Sequence, residues 1–317
     1  MNIIKTAFLA IIFISINNAH AGVGAPLPDY TPDKIGSESW VIHGPLGMPS
    51  AENQGFMNNP GIVLTDAGVV IIDPGSSLQA GEMVLRALTK LTKKPVVAVF
   101  NTHIHGDHWL GNQAIKASFP DAKIYGHPKM IQAVKDGEGD SWVSLMEKLS
   151  EGATSGTRVT PPTSAVNHGD IIVVGNKHFK IHHYGHCHTH TDIMIEVVED
   201  KIVFLGDNVL ADRIPRMSDG NFKGAMHAID EVSKVDATVW VPGHGPTNGK
   251  SILKNFHNYL SNVYDTARKA FEKDLDSSDV KPLLLKITSE YKSWSGYEDE
   301  IGKHGTQAYM EVEASEF

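Results

Sequence analysis

The sequence predicts an α/β fold, an αββα four-layer sandwich of two mixed β-sheets with outer helices and a C-terminal helical appendage. Strand-like apolar runs and helical segments follow one another in the same order twice between residues 61 and 241, which indicates two sheet-containing halves that pack together. From residue 251 onward the apolar residues keep only three- to four-residue spacing, the pattern of amphipathic helices. Each half contains an apolar run that ends in aspartate, at Asp73 and at Asp207, a weak indication of internal duplication.

The composition is typical of a globular protein. The 317 residues are 41% hydrophobic and 21% charged, values that argue against a disordered or fibrous chain. The formal net charge of −9 argues against a nucleic-acid partner, because phosphate backbones attract basic surfaces. Cys187 is the single cysteine, so no internal disulfide can form. The 17 histidines are an unusually large number, and histidine is the commonest metal ligand in proteins.

Residues 1–21 are predicted to be a secretory signal peptide. An apolar run at 7–16 precedes Ala19-His20-Ala21, a pattern typical of a cleavage site, and the run is shorter than the roughly 20 residues that span a bilayer. The expected location is therefore the periplasm or the medium, with no stable membrane anchor after cleavage. Residues 22–250 form the predicted sheet-containing domain, and residues 251–317 form the helical appendage.

The first half opens with a predicted β-hairpin, because apolar residues 61–65 and 69–72 flank the turn Asp66-Ala67-Gly68. Residues 136–168 are polar and punctuated by glycine and proline, so we expect a long covering loop with one helical piece at 142–149. The remaining elements expected in this half are a helix at 81–91, a buried strand at 96–100, a helix at 112–118 and a short strand at 123–125.

The second half repeats the order of strands, helix and strand. Its expected strands lie at 171–174, 179–184, 193–198 and 202–205, followed by a helix at 222–235 and a strand at 238–241. In the appendage, one helix begins at residue 251, a second contains residues 283–291, and a third contains residues 301–312. Residues 276–279 are a plausible turn and cap between the first two.

Four side chains of the kind that bind metals lie within six residues, directly after the predicted buried strand. They are His103, His105, Asp107 and His108. In a loop, His103 and His105 can point the same way while the other two turn toward a neighbouring point. This one segment can therefore contribute ligands to two metal ions a few ångströms apart.

Further candidate ligands follow other predicted strands. His186, His188 and His190 lie after one strand, Asp207 after another and His244 after a third. Ligands on strand-end loops at one edge of a sheet sandwich are what a rigid two-metal pocket requires.

Together these residues resemble the metallo-β-lactamase-fold hydrolase superfamily over roughly residues 40–250. The matching segments, in the family's order, are His103-x-His105-x-Asp107-His108, His188-Thr189, Asp207 and His244. The resemblance implies the αββα fold and two zinc ions, with other divalent metals such as iron or manganese as alternatives. It implies that His103, His105 and His188 bind the first metal, that Asp107, His108 and His244 bind the second, and that Asp207 bridges both.

The third ligand of the first metal has three candidates. Exported members of the family carry the segment Gly-x-x-His-Thr-x-x-Asp, and here Gly185, His188 and Asp192 fill that frame without a gap. This favours His188, and leaves His186 and His190 at the rim of the pocket or in solvent.

The implied activity is hydrolysis of a small molecule by a metal-bridging hydroxide, with Asp107 as the catalytic residue that orients the hydroxide and passes a proton. The bond is an ester, thioester, lactone or amide, with β-lactams included. Aspartate at position 207 is typical of the broader hydrolases of the family rather than of β-lactam specialists. Asp73 and Asp192 are candidates to orient ligand imidazoles through hydrogen bonds.

Two other functions stay open at this stage. The same fold hosts mononuclear iron enzymes that oxidise thiols or persulfides with O₂, and the chain could also be a non-catalytic periplasmic accessory metalloprotein. The complete seven-ligand set favours the dinuclear hydrolase. The sequence does not name the substrate or the oligomeric state. Arg213 and Arg216 could pair with a substrate anion, but we expect them in a solvated loop.

Overall fold

The computed structural model describes residues 22–316, in which two mixed β-sheets pack face to face between outer helices. The predicted αββα sandwich with C-terminal helices is therefore confirmed. The predicted signal peptide at 1–21 lies outside the described residues. Within the described part of the chain, no helix is long and apolar enough to cross a membrane.

The first sheet contains, in spatial order, β1 (Asp33–Lys34), β2 (Ser39–Val41), β3 (Gly61–Thr65), β4 (Gly68–Ile72), β5 (Val96–Phe100), β6 (Lys123–Gly126) and β7 (Ser164–Ala165). The pairs from β1 to β4 are antiparallel, and the pairs from β4 to β7 are parallel. The β3–β4 pair is the predicted hairpin.

The second sheet contains β8 (Ile171–Val174), β9 (Lys177–His182), β10 (Met194–Val197), β11 (Ile202–Phe204) and β12 (Val239–Val241), in the order β12-β11-β10-β9-β8. Its pairs are antiparallel except for β11 and β12, which run parallel. Because β5, β11 and β12 each end at the same edge of the sandwich, the loops that follow them meet there.

The helices, in chain order, are α1 (Leu78–Leu91), α2 (Gly106–Trp109), α3 (Asn112–Ser118), α4 (Pro128–Lys135), α5 (Glu138–Leu149), α6 (Phe222–Val232), α7 (Ser251–Phe271), α8 (Ser277–Ile287) and α9 (Tyr297–Ser315). Ser77 caps the N-terminus of helix α1, and its side chain accepts a hydrogen bond from the Ala80 backbone N–H. Helix α8 begins with a capping box between Asp276 and Asp279, at the predicted turn.

The apolar core has one layer between the sheets and one on each outer face. Between the sheets, the Phe100 ring of β5 stacks on the Phe179 ring of β9 with centroids 5.4 Å apart. Outside the second sheet, the apolar faces of α6 to α9 form one continuous cluster with Trp240. The appendage helices therefore share a core with the sheet domain.

The segment after β6 differs from the prediction. The structure has helix α4 where none was expected, and α5 begins four residues earlier than the helical piece at 142–149. Gly137, with φ of 104°, separates the two helices in a conformation that favours glycine. Met130, Val134 and Met146 are buried against the apolar residues of segment 104–110, which contains part of the histidine-rich motif. The apolar faces of α4 and α5 are therefore stabilised by tertiary packing.

Candidate metal centre

All seven predicted ligands are buried at the edge of the sandwich where β5, β11 and β12 end. The motif after β5 supplies His103 and His105 from a short loop, and α2 then turns Asp107 and His108 toward the same point. His188 comes from the loop between β9 and β10, Asp207 from the turn after β11, and His244 from the loop after β12.

The first group contains His103, His105, His188 and Asp207, each with one ligand atom within 4.8 Å of those of the others. His105 Nδ1 and His188 Nε2 are 2.9 Å apart. Three imidazoles and a carboxylate converging on one point form a donor set suited to zinc.

The second group contains Asp107, His108 and His244, again within 4.8 Å of one another. Asp107 Oδ2 lies 3.2 Å from His244 Nε2 and 3.5 Å from His108 Nε2. The two groups are joined by Asp207, whose Oδ1 lies 3.0 Å from His108 Nε2 while its Oδ2 lies 3.4 Å from His188 Nε2. One carboxylate therefore faces both groups.

Two observations show that the residues present fit metal ions. His103 Nε2 is buried, aimed into the cluster, and has no hydrogen-bond partner, an arrangement that is costly unless a ligand satisfies the lone pair. Gly243 leaves room for the bridging carboxylate, because a Cβ at this position would lie 2.0 Å from Asp207 Oδ1. The ligation of metal by these seven residues stays a prediction.

Asp73, at the end of β4, orients ligands of both groups. Its Oδ2 accepts hydrogen bonds from His108 Nδ1 at 2.8 Å and from the Thr102 hydroxyl at 2.6 Å. The same hydroxyl oxygen lies 3.0 Å from His103 Nδ1 and can accept its proton. Asp73 therefore holds both imidazoles with Nε2 toward the cluster, which is the role predicted for it.

Two further contacts that orient imidazoles of the cluster were not predicted from the sequence. Asp219 Oδ2 lies 3.1 Å from His105 Nε2, so this nitrogen donates and Nδ1 keeps its lone pair toward the cluster. His244 Nδ1 donates to the Met57 backbone oxygen at 2.8 Å. The partners lie 114 and 187 residues apart in sequence, and a backbone acceptor carries no sequence signal.

Asp192 does not orient an imidazole, contrary to the prediction. Its carboxylate accepts hydrogen bonds from the Thr189 backbone N–H at 2.6 Å and the Thr189 hydroxyl at 2.8 Å, so it fixes the loop that carries His188. His188 Nδ1 has no hydrogen-bond partner. Burial raises the pKa of Asp192 to about 7.

The electrostatics of the cluster hold His103, His188 and Asp207 in the forms that bind cations. Burial, followed by the neighbouring His108, lowers the pKa of His103 well below its ordinary value. Burial and His105 lower the pKa of His188 to about 3. Burial alone would raise the pKa of Asp207, but His244 and His108 more than offset it and hold this pKa well below its ordinary value. The Asp207 carboxylate is therefore ionised, and His103 and His188 are neutral. Burial alone would lower the pKa of His108 and His244, but Asp207 and the neighbouring carboxylates more than offset it and raise both pKa values.

Arg213 forms part of the wall of the cluster, and the expectation that it lies in a solvated loop is wrong. Its side chain is buried. The guanidinium donates hydrogen bonds to the backbone oxygens of Leu46 and Gly47, at 3.2 Å and 3.1 Å, which offset the cost of burying it. Arg216 is exposed, as expected, with its guanidinium 5.9 Å from the Trp142 ring. Helix α5 closes the other side of the cavity, which is lined there by Trp142, Leu145, Met146 and Leu149.

An outer groove of about 540 Å³ adjoins the cluster on the far side of His105. His186 and His190 lie along it, with their rings stacked 3.6 Å apart, and neither belongs to the two ligand groups. Cys187 lies between His186 and His190 in the sequence. Its side chain is buried in the apolar core next to the second sheet. Burial raises the pKa of its thiol far above the ordinary range, so it is a packing residue, as predicted.

A model of the family described as the metallo-beta-lactamase superfamily matches residues 54–244, which include all seven predicted ligands. The chain belongs to this superfamily. The predicted family is thereby confirmed. The activity and the identity of the metal are matters for proposal.

Curated relatives of this superfamily member are named hydroxyacylglutathione hydrolase. The protein from Nostoc sp. is 44% identical over 59 residues, 19% of this chain and 21% of that protein. The protein from Crocosphaera subtropica is 27% identical over 154 residues, 47% of this chain and 48% of that protein. The chain therefore matches about a fifth to about half of the length of these relatives.

Solved structures of the superfamily share the fold. A metallo-beta-lactamase from Pontibacter korlensis is 21% identical, with a TM-score of 0.59 over 74% of this chain and 100% of that one. The stereoselective inverting sec-alkylsulfatase from Pseudomonas sp. is 15% identical, with a TM-score of 0.69 over 89% of this chain and 50% of that one. At these identities the likeness concerns the fold alone.

Proposed function

We propose that this chain is a dinuclear zinc hydrolase that cleaves an ester-like bond of a small molecule, and that a thioester is the first substrate class to test. The observation that carries the proposal is the position of Asp207 between the two ligand groups, with one oxygen 3.0 Å from His108 Nε2 and the other 3.4 Å from His188 Nε2. A shared anion reduces the repulsion between two dications held a few ångströms apart. The relatives named hydroxyacylglutathione hydrolase support a thioester.

The seven residues would hold two zinc ions, which when bound lower the pKa of water into the neutral range and polarise the scissile carbonyl group. The chain itself supplies a proton acceptor. Asp107 lines the cavity, and although burial alone would raise its pKa, His108 and His244 hold that pKa well below its ordinary value. Its ionised carboxylate can accept a hydrogen bond from the attacking water and orient it, and can pass the water's proton on to the more basic leaving thiolate, so that a neutral thiol departs.

The surroundings of the cluster can bind a substrate of moderate size. Residues of helix α5 and Arg213 line the cavity, and their low-dielectric surroundings strengthen the interactions of charged groups within it. The outer groove offers further room beyond His105, and Lys129, Glu138 and Asp219 are the charged residues that line it.

The experiment is a stoichiometry and turnover measurement on purified protein loaded with zinc. We expect about two zinc ions per chain and hydrolysis of at least one member of a panel containing a hydroxyacyl-glutathione thioester, an aryl ester, a lactone and a β-lactam. Asp207→Ala is the inactive control, because it removes the bridge. Two zinc ions with no turnover on any member would refute the hydrolase and favour an accessory metalloprotein. One iron per chain with thiol-dependent O₂ uptake would instead establish the dioxygenase.

We also propose that the protein is exported to the periplasm or the medium, on the basis of the signal-peptide pattern at residues 1–21. Cell fractionation with N-terminal mass spectrometry tests this. A mature chain that begins near residue 22 in the exported fraction supports it, and an unprocessed chain in the cytoplasm contradicts it.

A further inference from the structure

The segment from residue 212 to residue 223, hereafter the site loop, follows the turn after β11 and ends with Phe222 and Lys223, the first two residues of helix α6. It brings two side chains to the metal centre. Arg213 lines the cavity, and Asp219 accepts the hydrogen bond from His105 Nε2 that leaves Nδ1 directed at the cluster. The loop has almost no regular secondary structure of its own before α6. Its conformation must therefore be fixed by contacts with other elements.

Helix α9 supplies contacts at the end of the site loop that carries Asp219. The Gln307 side-chain amide donates to the backbone oxygens of Met217 and Gly220, the residues on either side of the Ser218-Asp219 pair. The Glu311 carboxylate accepts the backbone N–H groups of Phe222 and Lys223, at 2.8 Å and 3.0 Å. One face of α9 therefore contacts the site loop on both sides of Asp219, the residue that contacts His105.

The other end of the site loop is held by the same C-terminal segment. His304 of α9 lies with Nε2 2.9 Å from the Pro215 backbone oxygen, and the Ile214 N–H donates to the Ser295 oxygen at 2.9 Å. The Ser295 N–H donates back to the Asp212 oxygen at 2.9 Å. Contacts with residues 295–311 thus recur along the whole loop.

Besides α9, the loop next to Asp219 is restrained by His186, whose Nε2 lies 2.8 Å from the Asp219 backbone oxygen, and by the Asn221 N–H, which donates to the Cys187 oxygen at 2.8 Å. The Asp219 side chain itself is about half exposed, at 51%, whereas the His105 side chain is 5% exposed, so its position depends on how firmly the loop backbone is held. Fixing a backbone residue costs about 1–2 kcal/mol in conformational entropy, so an unsupported loop would sample many positions for this carboxylate. A mobile carboxylate would leave the His105 tautomer and ring orientation unspecified.

We propose that Gln307 and Glu311 are positioning residues of the metal centre, which act by holding the site loop so that Asp219 orients His105. The C-terminal helices are then part of the construction of the centre as well as a packing layer. The proposal rests on the proposed role of His105 as a metal ligand, but it does not depend on which bond the enzyme cleaves.

The test compares two charge-matched substitutions on α9. Glu311→Gln keeps one acceptor oxygen and loses the second, whereas Glu313→Gln removes the same charge from an exposed position that does not touch the site loop. We expect Glu311→Gln, and more strongly Gln307→Ala with Glu311→Gln, to weaken zinc binding about 10-fold, at the lower end of the 10–100-fold typical of contacts that support a ligand. Glu313→Gln should bind zinc as the unsubstituted protein does. Zinc affinity is measured by competition with a chromophoric chelator, and amide hydrogen exchange of residues 212–223 is followed in parallel.

A double-mutant cycle decides whether the effect passes through Asp219. Asp219→Asn alone should weaken zinc binding by a similar factor, and Gln307→Ala should add little once Asp219 is changed, because both act on one contact. Fully additive losses would overturn the proposal, as would unchanged zinc affinity in the variant with both α9 substitutions. These outcomes are separate from the proposed function, since zinc affinity can fall as expected in a protein that hydrolyses nothing on the panel.

Discussion

Gly243→Ala tests the bridging position of Asp207 with the smallest possible change. The added Cβ would lie 2.0 Å from Asp207 Oδ1 and 2.7 Å from the Gly206 carbonyl carbon, where ordinary contacts begin near 3.4 Å. Because the second contact is with backbone, rotation of the carboxylate alone cannot relieve the clash. The carboxylate must retreat by about 1.4 Å, whereas ligand distances in working metal sites lie within about 0.2 Å of their usual values.

We expect this variant to fold, with a loss of about 1–3 kcal/mol in unfolding free energy from the steric conflict. Zinc affinity should fall by at least about 100-fold, because weakening a contact that merely supports a ligand already costs about 10–100-fold. The assay is zinc content after dialysis together with a chelator competition titration. Gly249→Ala is the matched control, since a Cβ there would meet no atom within 4 Å. If Gly243→Ala keeps two zinc ions with affinity within about threefold of the unsubstituted protein, Asp207 does not bridge.

Three further outcomes follow from the same contacts. Asp73→Asn removes the carboxylate that faces His108 at 2.8 Å, and should lower zinc affinity about 10–100-fold in a chelator titration; an unchanged affinity would show that the imidazole is oriented without it. His188→Ala should reduce zinc per chain while His190→Ala should not, and the reverse result in elemental analysis would move the third ligand by two residues. Burial lowers the pKa of His304 to about 4, below its unfolded value near 6.5, so its contribution to stability is present above about pH 6.5 and is lost as the pH falls toward 4. Between about pH 7.5 and pH 5 this histidine should lower the unfolding free energy by about 2 kcal/mol. In urea unfolding, the unfolding free energy of His304→Gln should therefore fall by about 2 kcal/mol less than that of the unsubstituted protein over the same pH interval.

The convergence of the seven candidate ligands could be predicted from the sequence, because each of them follows a strand with a recognisable apolar pattern. His103 to His108 lie within six residues, and Asp207 and His244 each follow a short apolar run. Parallel strands end at the same edge of a sheet, so these positions had to meet. Asp73 could be proposed as a supporting residue for the same reason, since it ends β4.

The supporting contacts from loops could not be predicted in this way. Asp219 lies in an irregular segment that contacts Gln307 and Glu311, residues about 90 positions further along the chain. Arg213 was expected to lie in a solvated loop, yet backbone oxygens of Leu46 and Gly47, which are about 167 residues away in sequence, accept hydrogen bonds from its guanidinium. Helix α4 was missed because it is short and depends on tertiary packing rather than on intrinsic helix propensity.

The backbone conformation and the hydrogen bonds of Asp73 also restrict which residue types this position tolerates. Its backbone has φ of 49°, in the left-handed region where residues other than glycine, asparagine and aspartate carry a penalty of about 1–2 kcal/mol. Glycine would keep the backbone and lose the carboxylate, asparagine would keep the shape and lose the charge, and glutamate would keep the charge on a side chain too long for this bend. Backbone and chemistry together thus leave aspartate as the one residue type that meets both demands, so a substitution here loses either the left-handed bend after β4 or the charged hydrogen bond to His108.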